Sequence, residues 1–254
     1  MKTIITTVTA AVLGMVMTTA VLADHHGAPR TSALELYFCS FADGKDMGDL
    51  KKVAAGWDRW VDSNFTESYN AYILSPVLIN GADFPYDSLW LGVAENQQAM
   101  GKVMDDWSAK GGEWQQKFDA ASKCDSHALL TSMEVRPYDK LGQAGYLQVS
   151  ACQFKPGAGF AELAAVDKKW NAWMDKNAMP GGIYRWIPGV GAQRADKSDF
   201  YGVYVAESLA DRGQAHDMMM AGGFQVWNSL YDGISDCDNP RVWNAQPAGG
   251  VTAQ

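Results

Sequence analysis

Apolar residues along this chain follow two patterns, one typical of strands and one typical of helices. Residues 33–41 alternate between apolar and polar side chains, which predicts a strand. Residues 49–64 place Leu50, Trp57 and Trp60 at helical spacing along one face, which predicts an amphipathic helix. The chain is therefore expected to start with a strand followed by a helix.

The same patterns continue through the rest of the chain and give the order βαββαβ twice. In the first half, further strands are predicted at 69–79, 88–95 and 128–136, and helices at 97–107 and 113–123. In the second half, strands are predicted near 145–154, 182–188, 200–207 and 241–244, and helices at 161–177 and 209–234. This order is typical of the ferredoxin-like split βαβ unit.

A repeat supports the division into halves. The motif Cys39-x-Phe41-x-x-Gly44 returns 113 residues later, beginning at Cys152, and the helical motif W-x-x-W-x-D-x-N returns with the same offset. After one deletion the offset becomes 112, so that Val93-Ala94-Glu95 matches Val205-Ala206-Glu207. We therefore predict an α+β fold of two tandem ferredoxin-like repeats, at 33–138 and 145–245, joined by a linker at 139–144.

The third strand of each half is apolar on both faces, which predicts how the halves pack. Leu89, Leu91 and Val93 alternate with Trp90, Gly92 and Ala94. Two sheets that each carry helices on one face would bury their bare faces against each other as an intrachain barrel.

In element order and duplication, the chain resembles the dimeric α+β barrel superfamily with its usual two subunits fused. The resemblance covers about 33–245 and implies that the chain need not dimerise, so a monomer would suffice, and the oligomeric state is left open. The superfamily includes cofactor-free monooxygenases, haem-degrading oxygenases, chlorite dismutases, peroxidases, isomerases and proteins with no known activity. No residue set in this sequence matches the active site of one member, so no active-site residue is transferred.

The first residues have the pattern of a secretory signal peptide. Lys2 precedes an apolar core at 10–16, and Val21-Leu22-Ala23 offers small residues at a cleavage site. We expect a signal peptide at 1–23, a flexible mature N-terminus at 24–32, a flexible tail at 246–254, and a periplasmic or extracellular location. No later apolar run approaches the roughly 18 residues of a membrane span.

Charge and cysteine content narrow the possible partners. The net charge of −8 becomes −9 once Lys2 is removed with the signal peptide, which makes nucleic acid a poor partner. Export permits disulfides, and four cysteines allow three pairings. The repeat favours Cys39–Cys124 and Cys152–Cys237, which would join the end of the first strand to the start of the fourth in each half.

Two sets of candidate site residues occur in both halves. Trp57, Trp60, Trp170 and Trp173 either pack the helices onto the sheets or form the aromatic wall of a ligand pocket. Glu95 and Glu207 end matched strands and could approach each other near the pseudo-twofold axis. Paired carboxylates perform acid/base chemistry or bind a cation, whereas the alternative is two solvated strand ends.

Features present in only one half are better functional candidates, because a site that evolved after duplication would be one-sided. His216 could ligate haem iron or Cu(I), and the methionines that follow it could equally fill a core. Arg185 and Trp186 could hold an anionic aromatic ligand or stack on each other. His127 is expected to be a solvated loop residue.

Cleavage after Ala23 would create a further candidate site at the new N-terminus. A free amine followed by Asp24, His25 and His26 could bind Cu(II) or Ni(II) in a square of nitrogens. Adventitious binding or no metal is the alternative. The sequence contains no Walker loop, dinucleotide fingerprint, C-x-x-C, H-E-x-x-H or G-x-S-x-G motif.

These patterns favour an exported protein that binds a small apolar or aromatic molecule between its helices and its sheet. The polar groups would come from Glu95, Glu207 and Arg185, beside the tryptophans. One alternative is a haem-dependent or cofactor-free oxygenase-type enzyme with His216 as ligand or base. Another is a structural envelope protein with no ligand.

Overall fold

The structure is a computed structural model that describes residues 29–251. The expected signal peptide at 1–23 and the expected metal site at Asp24, His25 and His26 lie outside these residues.

The first half contains four strands with helices between them. Its elements are β1 (Thr31–Phe41), α1 (Met47–Asn64), β2 (Tyr69–Leu78), β3 (Ser88–Ala94), α2 (Gln97–Lys110), α3 (Gly112–Ala121) and β4 (Ser122–Arg136).

The second half has the same order of elements, except that its last strand is divided. Its elements are β5 (Gly145–Phe154), α4 (Phe160–Lys176), β6 (Gly182–Pro188), β7 (Phe200–Ala206), α5 (Leu209–Met218), a π-helical segment (Met219–Gly223), α6 (Phe224–Tyr231), β8 (Ser235–Cys237) and β9 (Arg241–Val251).

Eight strands form a closed antiparallel barrel. The strand order is β7-β6-β4-β1-β3-β2-β9-β5, and pairing of β5 with β7 closes it. The two halves are joined by the β4–β6 and β2–β9 pairs, while the short β8 pairs with β5. Closure gives the barrel strands neighbours on both sides, so their backbone groups are paired. The mixed α+β fold and the barrel confirm the expected architecture at this level.

Strand alternation separates the interior of the barrel from its outer faces. Leu34 and Leu36 pack inside the barrel, where they are 3% and 7% exposed, whereas Ala33 and Glu35 face the helices. One core therefore fills the barrel, and a further core lies under the helices of each half.

The two disulfides have the predicted pairing. Cys39 lies opposite Cys124 on the β1–β4 ladder, and Cys152 lies opposite Cys237 on the β5–β8 ladder. Each bridge spans 85 residues; one fastens β4 to β1, and the other fastens β8 to β5.

Strand pairing extends several elements beyond their predicted bounds. β4 begins at Ser122, so His127 is a strand residue that contacts Glu35 and not the solvated loop residue that was expected. β9 continues to Val251, because residues Val242 to Val251 pair with β2. The expectation of a flexible tail is therefore wrong for 246–251. β1 likewise begins at Thr31, two residues earlier than expected.

No helix among residues 29–251 combines the length and the apolar character that crossing a membrane requires.

Candidate functional site

Each half has a cavity between its helices and the outer face of its strands. The first-half cavity lies between β1, β3 and the helices α1–α3, and it has a volume of about 170 Å³. The second-half cavity lies between β5–β7 and the helices α4–α6, and its volume is about 480 Å³. A third cavity of about 460 Å³, the barrel-end cavity, opens at one end of the barrel interior.

Two pairs of matched positions differ sharply in side-chain size between the two helix-facing cavities. Trp90 faces the first-half cavity at the point where β3 lies opposite Tyr37 of β1. The position 112 residues later is Gly202, which lies opposite Ser150 of β5 and lines the second-half cavity. Replacing two large rings by a glycine and a serine leaves space over the sheet.

A buried polar trio lies at the second-half cavity: Arg185 and Tyr231 line the cavity, and Asp167 lies behind them as their shared partner. The Arg185 guanidinium donates from Nη2 to Asp167 Oδ1 at 2.6 Å, and the Tyr231 hydroxyl donates to the same oxygen at 2.7 Å. The three residues are 4%, 5% and 3% exposed. Burial raises the pKa of the Tyr231 hydroxyl well above its usual range, and the Asp167 carboxylate raises it further.

The first half has apolar residues at the positions that match this trio. Residues 112 or 113 positions earlier are Ala54 for Asp167, Ile73 for Arg185 and Phe118 for Tyr231. In register, Ile73 lies opposite Trp90 as Arg185 lies opposite Gly202. The trio is therefore a one-sided feature, and packing alone does not require it at this point of the fold.

Arg185 retains hydrogen-bonding capacity that no group in residues 29–251 uses. Its Nε atom is buried and has no hydrogen-bond partner among the described residues. An unpartnered buried donor costs about 1–3 kcal/mol. A ligand oxygen within the cavity would remove that cost.

A second cation lines the same cavity. Arg212 donates from Nε to Gln148 Oε1 at 2.9 Å, and no carboxylate within residues 29–251 forms an ion pair with it. Asp238 also lines the cavity, but its carboxylate is bonded to Arg241 and to the backbone N–H of Ala151. The charge that remains uncompensated in the cavity is positive.

His216 lies beside the cavity at an irregular point of the helical layer. Helix α5 starts after Ser208, whose side chain caps it by accepting from Asp211 N at 3.0 Å. It then continues into the π-helical segment, in which Gly222 has a φ of 127°. The His216 ring is exposed, lines the cavity and packs edge-on against Phe224.

The four tryptophans that the sequence singled out fall into two roles. Trp57 lines the first-half cavity and Trp170 lines the second-half cavity, each 2% exposed. Trp60 packs against Trp107 and Trp173 stacks on Trp170, so these two support the walls from behind. Trp57 and Trp170 thus face the cavities from within the packed cores of the two halves, and a ligand role for the four tryptophans stays a prediction.

Arg185 and Trp186 do not share a pocket, because consecutive residues of a strand point to opposite faces. Arg185 faces the helices, whereas Trp186 is 7% exposed inside the barrel and lines the barrel-end cavity. The joint role expected for these two residues is therefore wrong.

The two glutamates at the strand ends lie away from all three cavities. Glu95 and Glu207 are exposed, and Glu207 forms an ion pair with Lys140. No hydrogen bond or ion pair joins the two carboxylates among the described residues. In addition, no group of three His, Cys, Asp or Glu residues between 29 and 251 is placed to hold a metal ion.

Sequence reasoning did not single out Asp167, Tyr231 or Gly202. The repeat contained the signal, since each differs in chemistry from its match: Ala54, Phe118 and Trp90. A comparison of the halves for one-sided polar substitutions would have found the trio.

No protein-family model matches this sequence, and no curated protein does. Solved structures do match over most of their length. A proposed monooxygenase from Lactobacillus acidophilus NCFM aligns with a TM-score of 0.54 at 8% identity, covering 88% of this chain and all of that protein. A dye-decolorizing peroxidase from Bacteroides thetaiotaomicron VPI-5482 aligns with a TM-score of 0.51 at 10% identity, covering 87% and 94%.

A third similar structure is a variant of Rhodococcus jostii RHA1 DypB in complex with heme. It aligns with a TM-score of 0.50 at 12% identity, covering 87% of this chain and 94% of that protein. Identities this low show the fold alone. The structures that this chain resembles are dimeric α+β barrel proteins, as expected.

Proposed function

We propose that this chain is a small-molecule-binding barrel whose site is the second-half cavity. The ligand is a flat, largely apolar molecule that carries one anionic group. The observation that carries this proposal is the unpartnered Nε donor of Arg185, buried in the floor of the cavity.

Size and lining support a ring-containing ligand. The cavity of about 480 Å³ falls within the range of about 300–1,000 Å³ that small-molecule sites occupy. Its walls are mostly aromatic and aliphatic, and they include Trp170, Phe200, Phe224 and Trp227. Such walls favour a flat apolar ring system, because rings stack and exclude water at little entropic cost.

Charge supports an anionic group on that ligand. Asp167 neutralises Arg185 within the trio, while Arg212 adds a positive charge that no carboxylate among residues 29–251 offsets. Hydrogen bonds to charged groups contribute about 1.5–3 kcal/mol, roughly a 10- to 100-fold gain in affinity. A carboxylate that meets both arginines is therefore selected over its neutral analogue.

The test compares 1-naphthoate with 1-naphthalenemethanol by isothermal titration calorimetry. We expect the naphthoate to bind at least about 10-fold more tightly, in line with a charged hydrogen bond. The variant Gly202→Trp, which places the ring of Trp90 at the matched position, should abolish binding. Equal affinity for both compounds, or full affinity in Gly202→Trp, would contradict the proposal.

A matched control separates recognition from folding. The triple variant Asp167→Ala, Arg185→Ile, Tyr231→Phe gives the second half the residues of the first at these positions. Because all three polar groups leave together, no buried charge loses its partner. The fold should persist, as judged by circular dichroism, while the preference for the naphthoate disappears.

Haem is a second candidate ligand, favoured by the position of His216. The chemistry of the donor set fits this group: His216 offers an imidazole for the iron, Arg185 and Arg212 offer cations for the propionates, and the walls are aromatic. Bound haem would supply redox chemistry at its iron. The residues of this chain would hold the ring, orient it and exclude water from one face.

Absorption spectroscopy distinguishes the two ligand classes. If haem is the ligand, titrating haemin into the protein gives a sharp Soret band, and His216→Ala shifts or removes it. Haemin would also compete with 1-naphthoate for the cavity. A Soret band unchanged by both His216→Ala and Gly202→Trp would exclude this cavity as a haem site.

We also propose that the two halves are tandem copies of one ferredoxin-like βαββαβ unit and that the protein is exported. The supporting observations are the repeated motifs of the sequence, the matching strand orders β4-β1-β3-β2 and β9-β5-β7-β6, and the two disulfides. Because each half covers the bare sheet of the other, a monomer suffices. N-terminal sequencing of the secreted or periplasmic protein should begin at Asp24, and light scattering should give the mass of one chain.

A further inference from the structure

A second buried polar network lies in the first half, at positions where the second half has none. Glu35 of β1 is 5% exposed and faces the first-half cavity. The Tyr69 hydroxyl is hydrogen-bonded to its Oε1, and His127 Nε2 lies 3.0 Å from its Oε2. The residue that matches Glu35 in the second half is the neutral Gln148.

The protons of this network can be assigned. Indole Nε1 only donates, and Trp90 Nε1 lies 2.8 Å from the Tyr69 oxygen, so the Tyr69 hydroxyl accepts there and donates its own proton to Glu35. Burial raises the pKa of Tyr69 well above its usual value, and the charge of Glu35 raises it further. The Tyr37 hydroxyl is also hydrogen-bonded to Glu35, so three of the roughly four lone-pair sites of the carboxylate are used and one is left to accept from a ligand.

Ser88 is an independent indication that the first-half cavity binds a ligand, because its buried hydroxyl lacks a hydrogen-bond partner among the described residues. This residue of β3 is 1% exposed and lines the first-half cavity. Its hydroxyl oxygen is buried without any hydrogen-bond partner among the described residues. A hydroxyl can donate and accept, so it suits a ligand oxygen.

The volume of the first-half cavity sets the size of what fits. At about 170 Å³ it slightly exceeds the apolar cavity of roughly 150 Å³ that binds benzene in an engineered protein. Its walls are mostly rings, including Trp57, Trp90, Trp107 and Phe118. One aromatic ring fits in this space, and the larger ligand proposed for the second half does not.

We infer that the first-half cavity is a second binding site and that it takes a neutral single-ring phenol. Glu35 accepts the phenolic proton, and Ser88 donates its hydroxyl proton to the phenolic oxygen. Within the described part of the chain no lysine or arginine lines this cavity, and Asp119 adds a second acid, so an anionic ring such as benzoate is rejected. The two cavities would thus select rings of different size. Arginines would recognise an anionic group in the second half, and a carboxylate would recognise a neutral hydroxyl in the first.

The experiment is calorimetric titration with phenol, benzoate and benzene. We expect phenol to bind, benzoate to bind at least 10-fold more weakly, and benzene to fall between them. Ser88→Ala should lower the affinity for phenol about 3- to 10-fold, as expected for the loss of one hydrogen bond. Ser88→Phe, which introduces the residue found at the matched position 200, should remove binding by filling the cavity.

Gly202→Trp separates this proposal from that for the second half. It should leave phenol binding unchanged, because it occludes only the second-half cavity. If phenol binding is lost in Gly202→Trp but kept in Ser88→Ala and Ser88→Phe, phenol occupies the larger cavity and this inference is wrong. It is equally wrong if benzene and phenol bind alike and Ser88→Ala has no effect, since the cavity is then an apolar void only. If Ser88→Phe does not fold, Ser88→Ala still decides.

Discussion

The two helix-facing cavities share their helix tryptophans but differ in their strand residues. Trp57 and Trp170 occupy the same place in each half, each nearly inaccessible to solvent. Opposite them the first half has Trp90 and the second has Gly202. Both halves therefore have a buried tryptophan at this helix position, whereas the strand residues that face the two cavities differ in size and chemistry.

An exchange of tyrosine and glycine shows the same divergence in detail. In the first half the Tyr69 ring covers Gly92, where an added Cβ would overlap the Tyr69 hydroxyl oxygen. In the second half the Tyr204 ring covers Gly181, where an added Cβ would lie 2.5 Å from the ring. The 112-residue offset relates Tyr69 to Gly181 and Gly92 to Tyr204. The matched space is thus filled by a tyrosine of β2 in the first half and by a tyrosine of β7, the counterpart of β3, in the second half. The Tyr69 hydroxyl therefore reaches Glu35, whereas the Tyr204 hydroxyl donates to Pro180 O.

The largest expected effect tests whether the disulfides of the two halves contribute equally to the free energy of unfolding. Each disulfide closes a loop of 85 residues, so removing either should cost about 4–5 kcal/mol of unfolding free energy through the unfolded chain. The variants are Cys39→Ala with Cys124→Ala, and Cys152→Ala with Cys237→Ala. Urea unfolding measures both, and losses that differ by more than about 2 kcal/mol would break the equivalence.

The next effect tests the polar trio, which only the second half has. Asp167→Ala leaves the buried Arg185 without its partner and should cost about 3–5 kcal/mol. The triple variant with Arg185→Ile and Tyr231→Phe should recover most of that loss, since no buried charge remains unpaired. Urea unfolding compares the two. A triple variant that is less stable than Asp167→Ala would show that the trio stabilises the fold in its own right.

A smaller effect tests the network of the first half. Glu35→Gln introduces the residue that the second half has at position 148, and it keeps the shape of the side chain while removing the charge. The Tyr69 and His127 hydrogen bonds become neutral, so stability should fall by about 1–2 kcal/mol. The matched control, Gln148→Glu, places a carboxylate beside Arg212 and should be neutral or slightly stabilising. A loss in the control equal to that of Glu35→Gln would contradict the comparison.

The smallest effect is common to both halves and appears at alkaline pH. Tyr69 and Tyr231 have pKa values raised above the usual 10.0 in the folded state, so the folded protein holds these protons more tightly than the unfolded chain. Their contribution to stability is complete below pH 10 and is lost as pH rises above it. Each should account for somewhat less than about 1 kcal/mol at pH 10.5.

Thermal unfolding between pH 8 and 10.5 measures this effect. Tyr69→Phe and Tyr231→Phe should each reduce the decline in Tm over this range by a similar amount. A decline that neither substitution alters would mean that other groups control alkaline stability.

Sequence reasoning predicted the elements whose patterns are local and failed where long-range pairing decided the result. The helical stripe of Leu50 and Trp57, the strand at β3 and both disulfides followed from spacing and repetition. The strand residues 246–251 lacked a clear local signal, because their order comes from pairing with β2. His127 was similarly misplaced, since it is held by the β1–β4 ladder and by Glu35.

The amino-acid sequence by itself determined the two halves, their βαββαβ order, the pairing of the cysteines and the candidacy of Arg185 and His216. These features depend on periodicity and offset, which are visible in one dimension. Only the tertiary structure decided that Arg185 joins Asp167 and Tyr231 while its neighbour Trp186 turns into the barrel. That outcome depends on strand register and helix packing, which bring together residues up to 64 positions apart in the chain.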